Sequence, residues 1–348
     1  MKALMKGNEA IAASAIAAGC RAFFGYPITP QSEILEYMSA NMGLAGGVFI
    51  QAESELAAIN MVYGAAATGV RAMTSSASPG IALKQEGISY MAGARLPCLI
   101  VSMARSGPGL GGILPAQGDY FQATRGGGNG DYYIPVYAPG SVQEAADLVQ
   151  RAFNVAEAYR TPVMLLGDGM LGQMMEPAQI GSAKRIQADM SWAANAGPGR
   201  PRNIINSLNL SPQGLEQMNL ERFAIYDEIS TKETMAELNV QEGDEIVLVA
   251  YGTPARIVKS AVVQLAEKGI SAGMIRPITL WPFPDSAFQN LPNSVETILV
   301  AELSMGQMVQ DVRLAVNGRL PVEFYGRAGG MVFEPEEIAS RVFDILRK

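Results

Sequence analysis

Histidine is absent from the 348 residues of the sequence. Its absence excludes Ser-His-Asp and Cys-His nucleophile pairs, histidine metal sites and a histidine general base. Cysteine is scarce as well: Cys20 and Cys98 both lie in apolar segments, and two thiols are too few for an iron–sulfur cluster or a cysteine-rich zinc site. Acid–base chemistry must therefore use carboxylates, or come from a cofactor or another subunit.

Long apolar runs and basic runs are also missing. No apolar stretch reaches the roughly 18 residues that a membrane span needs, and Met1–Glu9 has no apolar core typical of a signal peptide. The net charge is −7, and no run of Lys or Arg offsets it. The sequence therefore predicts a soluble cytoplasmic protein without a nucleic-acid or membrane partner.

What is present is an alternation of short apolar strands with helical patterns. It runs through residues 1–170 and restarts at Glu245, as in the buried strand Leu96–Met103 and the helix Ser141–Tyr159. Such alternation predicts an α/β fold with a parallel sheet covered by helices on both faces. We predict a first domain at 1–175, a linker or arm at 176–243 rich in Asn, Gln, Ser and Pro, and a smaller α/β domain at 244–348.

Ligands of open parallel sheets bind at the carboxyl ends of the strands, and the segment Gly25–Ser32 falls at such an end. Thr29 fits as a helix N-cap with Pro30 at the first helical position. The free N–H groups of that helix start favour an anion such as a substrate carboxylate. The alternative is an ordinary capped helix without a ligand.

Two glutamates, Glu53 and Glu55, follow the next apolar strand. A carboxylate there is partly desolvated, which raises its pKa toward neutrality. Alternatively, Ser54 caps a helix whose dipole both glutamates merely complement. Farther along, the small residues of Ser75–Gly80 form a turn that a ligand or a facing subunit can approach closely.

Arg105 directly follows the buried strand Leu96–Met103. A planar guanidinium suits bidentate capture of a carboxylate or phosphate, and simple surface solvation is the alternative. The next glycines, at 107, 109 and 112, fit G-x-G-x-x-G but precede no helix, so a dinucleotide site is not expected. A mobile active-site or interface loop fits better.

Several segments together resemble the alpha subunit of 2-oxoacid:ferredoxin oxidoreductases, in order and over nearly the whole chain. They are Tyr26–Pro30, Glu53–Ala58, Thr74–Gly80, Arg105–Pro108 and Arg276–Pro282. Gln51–Gly80 and Gly167–Pro177 are most similar to the branched-chain type, which acts on 2-oxoisovalerate (3-methyl-2-oxobutanoate). The 2-oxoglutarate type is the near neighbour.

This resemblance implies a thiamine diphosphate enzyme whose alpha subunit supplies a pyrimidine-binding-type domain followed by a transketolase C-terminal-like domain. A beta subunit holds the diphosphate, its magnesium and an iron–sulfur cluster, and a gamma subunit, often with a ferredoxin-like delta subunit, completes the complex. The implied reaction converts a 2-oxoacid and coenzyme A to acyl-CoA, carbon dioxide and reduced ferredoxin. The missing histidines are then no obstacle, because the cofactor performs the nucleophilic step.

The resemblance also assigns roles to individual residues. Glu55 matches the glutamate that hydrogen-bonds the pyrimidine ring, and it is preferred to Glu53 because Ser54-Glu55 with Gly64 matches the family's frame. Thr29 and Arg105 match the residues that hold the substrate carboxylate. The block Pro27-Ile28 before Thr29 is assigned to the cofactor.

Gly167-Asp168-Gly169 with Asn195 superficially fits the metal motif of thiamine diphosphate enzymes. Pro177 interrupts the helix that the motif requires, and no convincing strand precedes Asn195, so we assign no metal to this chain. Two alternatives to a catalytic-complex subunit stay open. One is a self-sufficient enzyme using Asp168 and Asn195, and the other is a non-catalytic ligand-binding or assembly subunit.

Overall fold

Two largely parallel sheets and a two-stranded antiparallel ribbon organise the chain. The structure, a computed structural model, describes residues 2–181, 185–195, 198–200 and 202–346. The strands are β1 (Ala3–Lys6), β2 (Ala22–Gly25), β3 (Val48–Gln51), β4 (Ala72–Ala77), β5 (Cys98–Ala104), β6 (Val136–Tyr137), β7 (Pro162–Asp168), β8 (Met175–Ala178), β9 (Ala236–Asn239), β10 (Ile246–Val249), β11 (Ala272–Pro277), β12 (Thr279–Trp281), β13 (Thr297–Glu302) and β14 (Val322–Gly326).

Helices follow most strands, and a 3-10 turn lies at Asp285–Phe288. The helices are α1 (Gly7–Ala17), α2 (Ser32–Asn41), α3 (Glu55–Ala67), α4 (Ser78–Gly93), α5 (Tyr120–Thr124), α6 (Val142–Tyr159), α7 (Gly169–Gln173), α8 (Pro212–Lys232), α9 (Pro254–Glu267), α10 (Met308–Val316) and α11 (Pro335–Leu346). Within the described ranges, no helix is both long and apolar enough to cross a membrane.

The first sheet has seven strands in the order β12-β6-β7-β5-β4-β2-β3. Strands β2 to β7 are parallel, and β12 joins the edge antiparallel to β6. Every residue of β4, β5 and β7 is buried, because α3 and α4 cover one face while α1, α2 and α6 cover the other. The predicted α/β fold with a helix-covered parallel sheet is confirmed.

The second sheet has the order β14-β13-β10-β11-β9, in which only β9 is antiparallel. Helices α9 and α11 pack on one face, whereas α10 packs on the other, in a core shared with the first sheet. Gln117 bridges the two sheets: its Nε2 donates to Tyr251 O at 3.0 Å, and its Oε1 accepts from Leu303 N at 2.9 Å.

The range 176–243, interpreted from sequence as a linker or arm, contributes structure at both ends. Its first residues complete β8, which pairs with β1, and its last strand, β9, joins the second sheet. Helix α8 lies between them. The division into 1–175, 176–243 and 244–348 stays a proposal, and β12 shows that the C-terminal range also adds a strand to the first sheet.

The predicted helix start at Thr29 and Pro30 is wrong. Helix α2 begins at Ser32 after Gln31, and no side chain caps it. The chain turns first, since Gln31 N donates to Ile28 O at 3.1 Å, and this turn takes Thr29 out of reach of the helix start. The alternative role of Ser54 is correct, because its Oγ accepts from Ala57 N at 3.1 Å and caps α3.

Candidate active site

The winding of the first sheet changes direction at β2, since β3 lies on one side of β2 and β4 on the other. Crevices outside the carboxyl ends of strands at such a switch point are the usual ligand sites of open α/β sheets. The segment 26–31 follows β2, and the turn Ser75–Gly80 spans the end of β4. Both segments singled out in the sequence therefore meet at the switch point.

Gln31 ties the loop after β2 to β4. It is fully buried, its Oε1 accepts from Ser75 Oγ at 2.5 Å, and its Nε2 donates to Tyr26 O at 3.2 Å. The loop itself stays open to solvent, with Pro27 and Thr29 exposed and Ile28 half-buried. Sequence reasoning gave Gln31 no role, because nothing local shows that its partner is 44 residues away.

Arg105 lies beside Thr29. Its Nη1 donates to Thr29 O at 3.0 Å and its Nη2 to Leu110 O at 3.3 Å, while its Nε is buried without a hydrogen-bond partner among the described residues. A guanidinium has five N–H donors. These two bonds therefore fix the orientation of the Arg105 guanidinium and leave its other N–H groups free to bind an anion.

The backbone of Arg105 is held from the other side by Ser78, the first residue of α4. Arg105 N donates to Ser78 Oγ at 2.9 Å, and the Ser78 hydroxyl donates to the Asp119 carboxylate. Burial raises the pKa of Asp119, although the bond from Ser78 and the charge of Arg105 oppose the rise. The β4–α4 turn thus fixes where the guanidinium emerges.

Glu55 and Glu53 have opposite environments. Glu55 begins α3 and is 7% exposed, whereas Glu53 lies on the surface. In the part of the chain that the structure describes, no group donates a hydrogen bond to the Glu55 carboxylate. A buried carboxylate without a donor is costly, so its environment favours Glu55 over Glu53 as a ligand-binding group.

Gly80 packs closely against that carboxylate. A Cβ there would lie 2.6 Å from Glu55 Oε1 and 2.0 Å from Ser76 Oγ, so no side chain fits. Ser76 Oγ is itself buried and, among the described residues, has no hydrogen-bond partner. The turn thus offers an acceptor and a hydroxyl side by side, both without a protein partner.

Lys84 lies one turn after Gly80 on α4 and is fully buried. Its Nζ donates to Thr74 Oγ1 at 2.6 Å and to Ser75 O at 3.1 Å. Burial lowers the pKa of Lys84 to about 7, and the charge of Glu55 partly opposes this shift. Sequence reasoning missed Lys84; its spacing of four residues from Gly80, which places both on one helix face, is the signal that points to it.

Comparison with known proteins agrees with this geometry. Residues 13–242 match the family model "Pyruvate flavodoxin/ferredoxin oxidoreductase, thiamine diP-bdg", and residues 244–338 match "Pyruvate:ferredoxin oxidoreductase core domain II". The chain belongs to the 2-oxoacid:ferredoxin oxidoreductase family. It carries the thiamine-diphosphate-binding domain of that family, and the resemblance drawn from its motifs is confirmed.

Full-length relatives refine the placement within the family. The ketoisovalerate oxidoreductase subunit VorB of Methanothermobacter thermautotrophicus is 45% identical, covering 98% of this chain and 97% of the relative. The 2-oxoglutarate synthase subunit KorA of Methanothermobacter marburgensis is 35% identical, with 97% of each covered. Both are named as subunits, so this oxidoreductase family works in multi-subunit complexes.

A solved structure supports the same assignment. The 2-oxoglutarate:ferredoxin oxidoreductase from Magnetococcus marinus, with 2-oxoglutarate, coenzyme A and succinyl-CoA bound, matches with a TM-score of 0.88 at 28% identity. The match covers 99% of this chain and 65% of that one, so this chain spans just under two thirds of the neighbour's length.

The residues at the switch point fit the aminopyrimidine of thiamine diphosphate. Gly80 lets the start of α4 approach both side chains closely, Glu55 provides an acceptor, and Ser76 provides a hydroxyl without a partner. A flat ring that presents nitrogen donors satisfies such groups. A carboxylate that binds a ring nitrogen also matches the role that the family resemblance implies for Glu55.

The structure does not bring together the two ends of the apparent metal motif. Asp168 is buried at the carboxyl end of β7, where it accepts from Leu171 N at 2.9 Å and from the Thr253 hydroxyl. Asn195 accepts from the Arg200 guanidinium, and its neighbour Ala194 binds the end of α3, at the amino edge of the sheet. The two residues therefore lie at opposite edges.

A cavity of about 560 Å³ lies elsewhere, between α9 and the start of α6. Its charged side chains pair with one another: Arg276 with Glu144 and Glu237, and Arg256 with Glu176. Size alone makes it a candidate pocket. Because these charges are already paired, we assign the site to the switch point, where polar groups lack partners.

Proposed function

We propose that this chain is the alpha subunit of a complex that oxidatively decarboxylates a branched-chain 2-oxoacid of the 2-oxoisovalerate class with coenzyme A. The products are an acyl-CoA, carbon dioxide and reduced ferredoxin. The observation that carries the proposal is that Glu55 and Arg105 lie at the same switch point. Glu55 is buried and accepts no hydrogen bond from the described residues, and Arg105 uses only some of its donors. Greater identity to the ketoisovalerate subunit than to the 2-oxoglutarate subunit supports the substrate class.

In this proposal Glu55 acts on a proton. When bound, thiamine diphosphate supplies a nucleophilic thiazolium carbon and an electron sink. Glu55 Oε1, which lies close to Gly80, would share a proton with a ring nitrogen of the aminopyrimidine. Only 7% of Glu55 is exposed, and a carboxyl group positioned at a ring nitrogen acts as a general acid or base.

Arg105 and Thr29 bind the substrate carboxylate in this proposal, and Pro27 and Ile28 line the cofactor side of the same loop. The backbone bonds to Thr29 O and Leu110 O orient the guanidinium before substrate arrives. A planar fork that is oriented in advance loses little entropy on binding a carboxylate. Arg105 thereby orients the carboxylate relative to the reacting carbon.

The loop beyond Arg105 supports an aliphatic substrate side chain. Residues 106–115 include four glycines and no charged residue, and Ile113 and Leu114 are exposed on it. A second carboxylate, as in 2-oxoglutarate, would need a cation that this loop does not provide. A branched apolar side chain would instead contact small and apolar groups.

Further parts of the proposal concern partners. A beta subunit would hold the diphosphate, magnesium and an iron–sulfur cluster, while gamma and in some complexes delta subunits would pass electrons to ferredoxin. Two cysteines, both buried, cannot hold a cluster in this chain. We place the complex in the cytoplasm.

The experiment purifies the tagged chain alone and in complex with its co-expressed partners. The lone chain should be colourless and inactive, and the complex should oxidise 2-oxoisovalerate with a higher kcat/KM than 2-oxoglutarate. Turnover by the lone chain would support the self-sufficient enzyme, and a preference for 2-oxoglutarate would support the other substrate class. Full activity in a complex carrying Glu55→Gln and Arg105→Lys would instead indicate a non-catalytic subunit.

A further inference from the structure

Two arginines lie side by side at the amino edge of the first sheet, opposite the active site. Arg95 precedes β5 and Arg160 precedes β7, and the two strands are neighbours in register, with Cys98 opposite Pro162. Both arginines have left-handed backbones, with φ of 55° and 51°. That conformation is uncommon for side chains other than Asn, Asp and His, and strain of this kind concentrates at functional positions.

Neither guanidinium has a hydrogen-bond acceptor among the described residues. The Nε of Arg95 and the Nε of Arg160 are both buried and unpaired. Arg105, Arg151 and Arg222 also have a buried Nε without a partner, but each of them donates to the protein through an Nη atom, which Arg95 and Arg160 do not do among the described residues. Buried unpaired donors in a native structure indicate a missing partner, such as an ion.

The two positive charges also act on each other. Burial and the neighbouring charge of Arg95 lower the pKa of Arg160 to about 10. The opposing carboxylate is Asp189, which is exposed and already accepts from the backbone N and the hydroxyl of Ser191. In a chain of net charge −7, Arg160 is thus opposed by one exposed carboxylate that other groups already bind.

The Trp192 side chain stacks against Arg160. The guanidinium carbon of Arg160 lies 4.4 Å from the centre of the Trp192 ring, a cation–π contact. On the Arg95 side, that arginine's charge acts on Tyr226, a buried residue of α8. Trp192 therefore orients Arg160 without neutralising its charge.

We propose that Arg95 and Arg160 form a binding site for a phosphate group, either free or carried on a nucleotide. A phosphate carries about −1.5 to −2 charges at pH 7 and three acceptor oxygens, so it satisfies two guanidinium forks and both charges at once. A single carboxylate would neutralise only one of them. The site lies apart from the switch point and does not depend on the function proposed above.

The test uses the purified full chain and follows Trp192 fluorescence during titration with inorganic phosphate. The sequence has two tryptophans, so a Trp281→Phe background isolates the signal of Trp192. Chloride at matched ionic strength measures general screening. We expect a saturable change with phosphate, a parallel rise in Tm, and little response to chloride.

Matched variants identify the site. Arg95→Gln and Arg160→Gln should each weaken phosphate binding by about tenfold or more, the value of a charge-assisted hydrogen bond. Arg341→Gln, at a half-buried ion pair with Glu323, should not weaken it. Arg95→Gln keeps the stacking on Trp192, so it decides the result if Arg160→Gln misfolds. Binding that survives in Arg95→Gln, or a response equal to that of chloride, would overturn the proposal.

Two further titrants separate the sources of the phosphate. AMP that binds more tightly than inorganic phosphate would indicate a nucleotide, and equal affinities would indicate the phosphate group alone. Adenosine is the control, because it keeps the base and sugar but carries no phosphate. Adenosine that binds as tightly as AMP would contradict a phosphate site.

Discussion

Two buried glutamates show how differently this chain treats the carboxyl edges of its two sheets. Glu302 ends β13 in the second sheet, is fully buried, and accepts from the backbone N of Gln307, Met308 and Val309 at 3.1–3.2 Å and from Ser304 Oγ at 2.8 Å. Glu55, at the edge of the first sheet, receives no such donor among the described residues.

The difference distinguishes a structural carboxylate from one kept for a ligand. Glu302 satisfies the free N–H groups at the start of α10, as helix termini require. The Glu55 oxygens accept no hydrogen bond from the described residues, and they lie against Gly80, where no side chain fits. The satisfied group should therefore contribute to stability, and the unsatisfied one to catalysis.

Replacing Glu55 gives the largest expected effect. Glu55→Gln keeps the shape but cannot exchange a proton, so in the assembled complex kcat should fall by roughly 10²–10⁴, with substrate KM changing far less. Proton–deuterium exchange at the thiazolium carbon measures the step directly. Glu53→Gln is the matched control and should lower kcat much less. If Glu53→Gln instead causes the larger loss of kcat, Glu55 is misassigned.

Replacing Glu302 should instead cost stability. Glu302→Ala leaves the N–H groups at the start of α10 without their acceptor, and the free energy of unfolding should fall by roughly 2–4 kcal/mol. Urea unfolding of the full chain measures this loss. Glu296→Ala, on the exposed approach to β13, serves as the control. Equal losses in both variants would mean that the Glu302 bonds contribute little.

Arg105 tests the anion side of the active site. Arg105→Lys keeps the charge but loses the planar fork, so substrate capture should weaken by roughly 1.5–3 kcal/mol, seen as a lower kcat/KM of the complex. Thiamine diphosphate affinity should change little. The assignment fails if cofactor affinity collapses while substrate KM stays fixed.

Local patterns predicted much of this architecture. Consecutive apolar residues marked the buried strands, and the rule that ligands bind at carboxyl ends selected Arg105 and the segment with Glu53 and Glu55. Only the family resemblance preferred Glu55 to Glu53. The misplaced cap at Thr29 shows the limit, because cap chemistry alone does not reveal that the chain turns before the helix starts. Gln31 and Lys84 were missed because their roles depend on packing between elements.

The smallest effect, taken per pH unit, is the change in stability caused by Lys84, and its sign follows from linkage. The pKa of Lys84 is about 7 in the folded chain and about 10.5 when exposed. Between these values the unfolded state binds a proton that the folded state lacks, so stability rises with pH. One proton gives at most about 1.4 kcal/mol per pH unit. Below pH 7 both states are protonated and the slope disappears.

Lys84→Met removes this ionisation, so the free energy of unfolding of the native chain should rise relative to that of the variant between pH 8 and pH 10. Comparing the two proteins at each pH cancels the groups that titrate in both, and urea unfolding supplies the values. In a Glu55→Gln background the rise should begin at lower pH, because the charge that supports protonated Lys84 is gone. Parallel curves at all pH values would mean that Lys84 keeps its ordinary pKa and stays charged beside Glu55 at neutral pH.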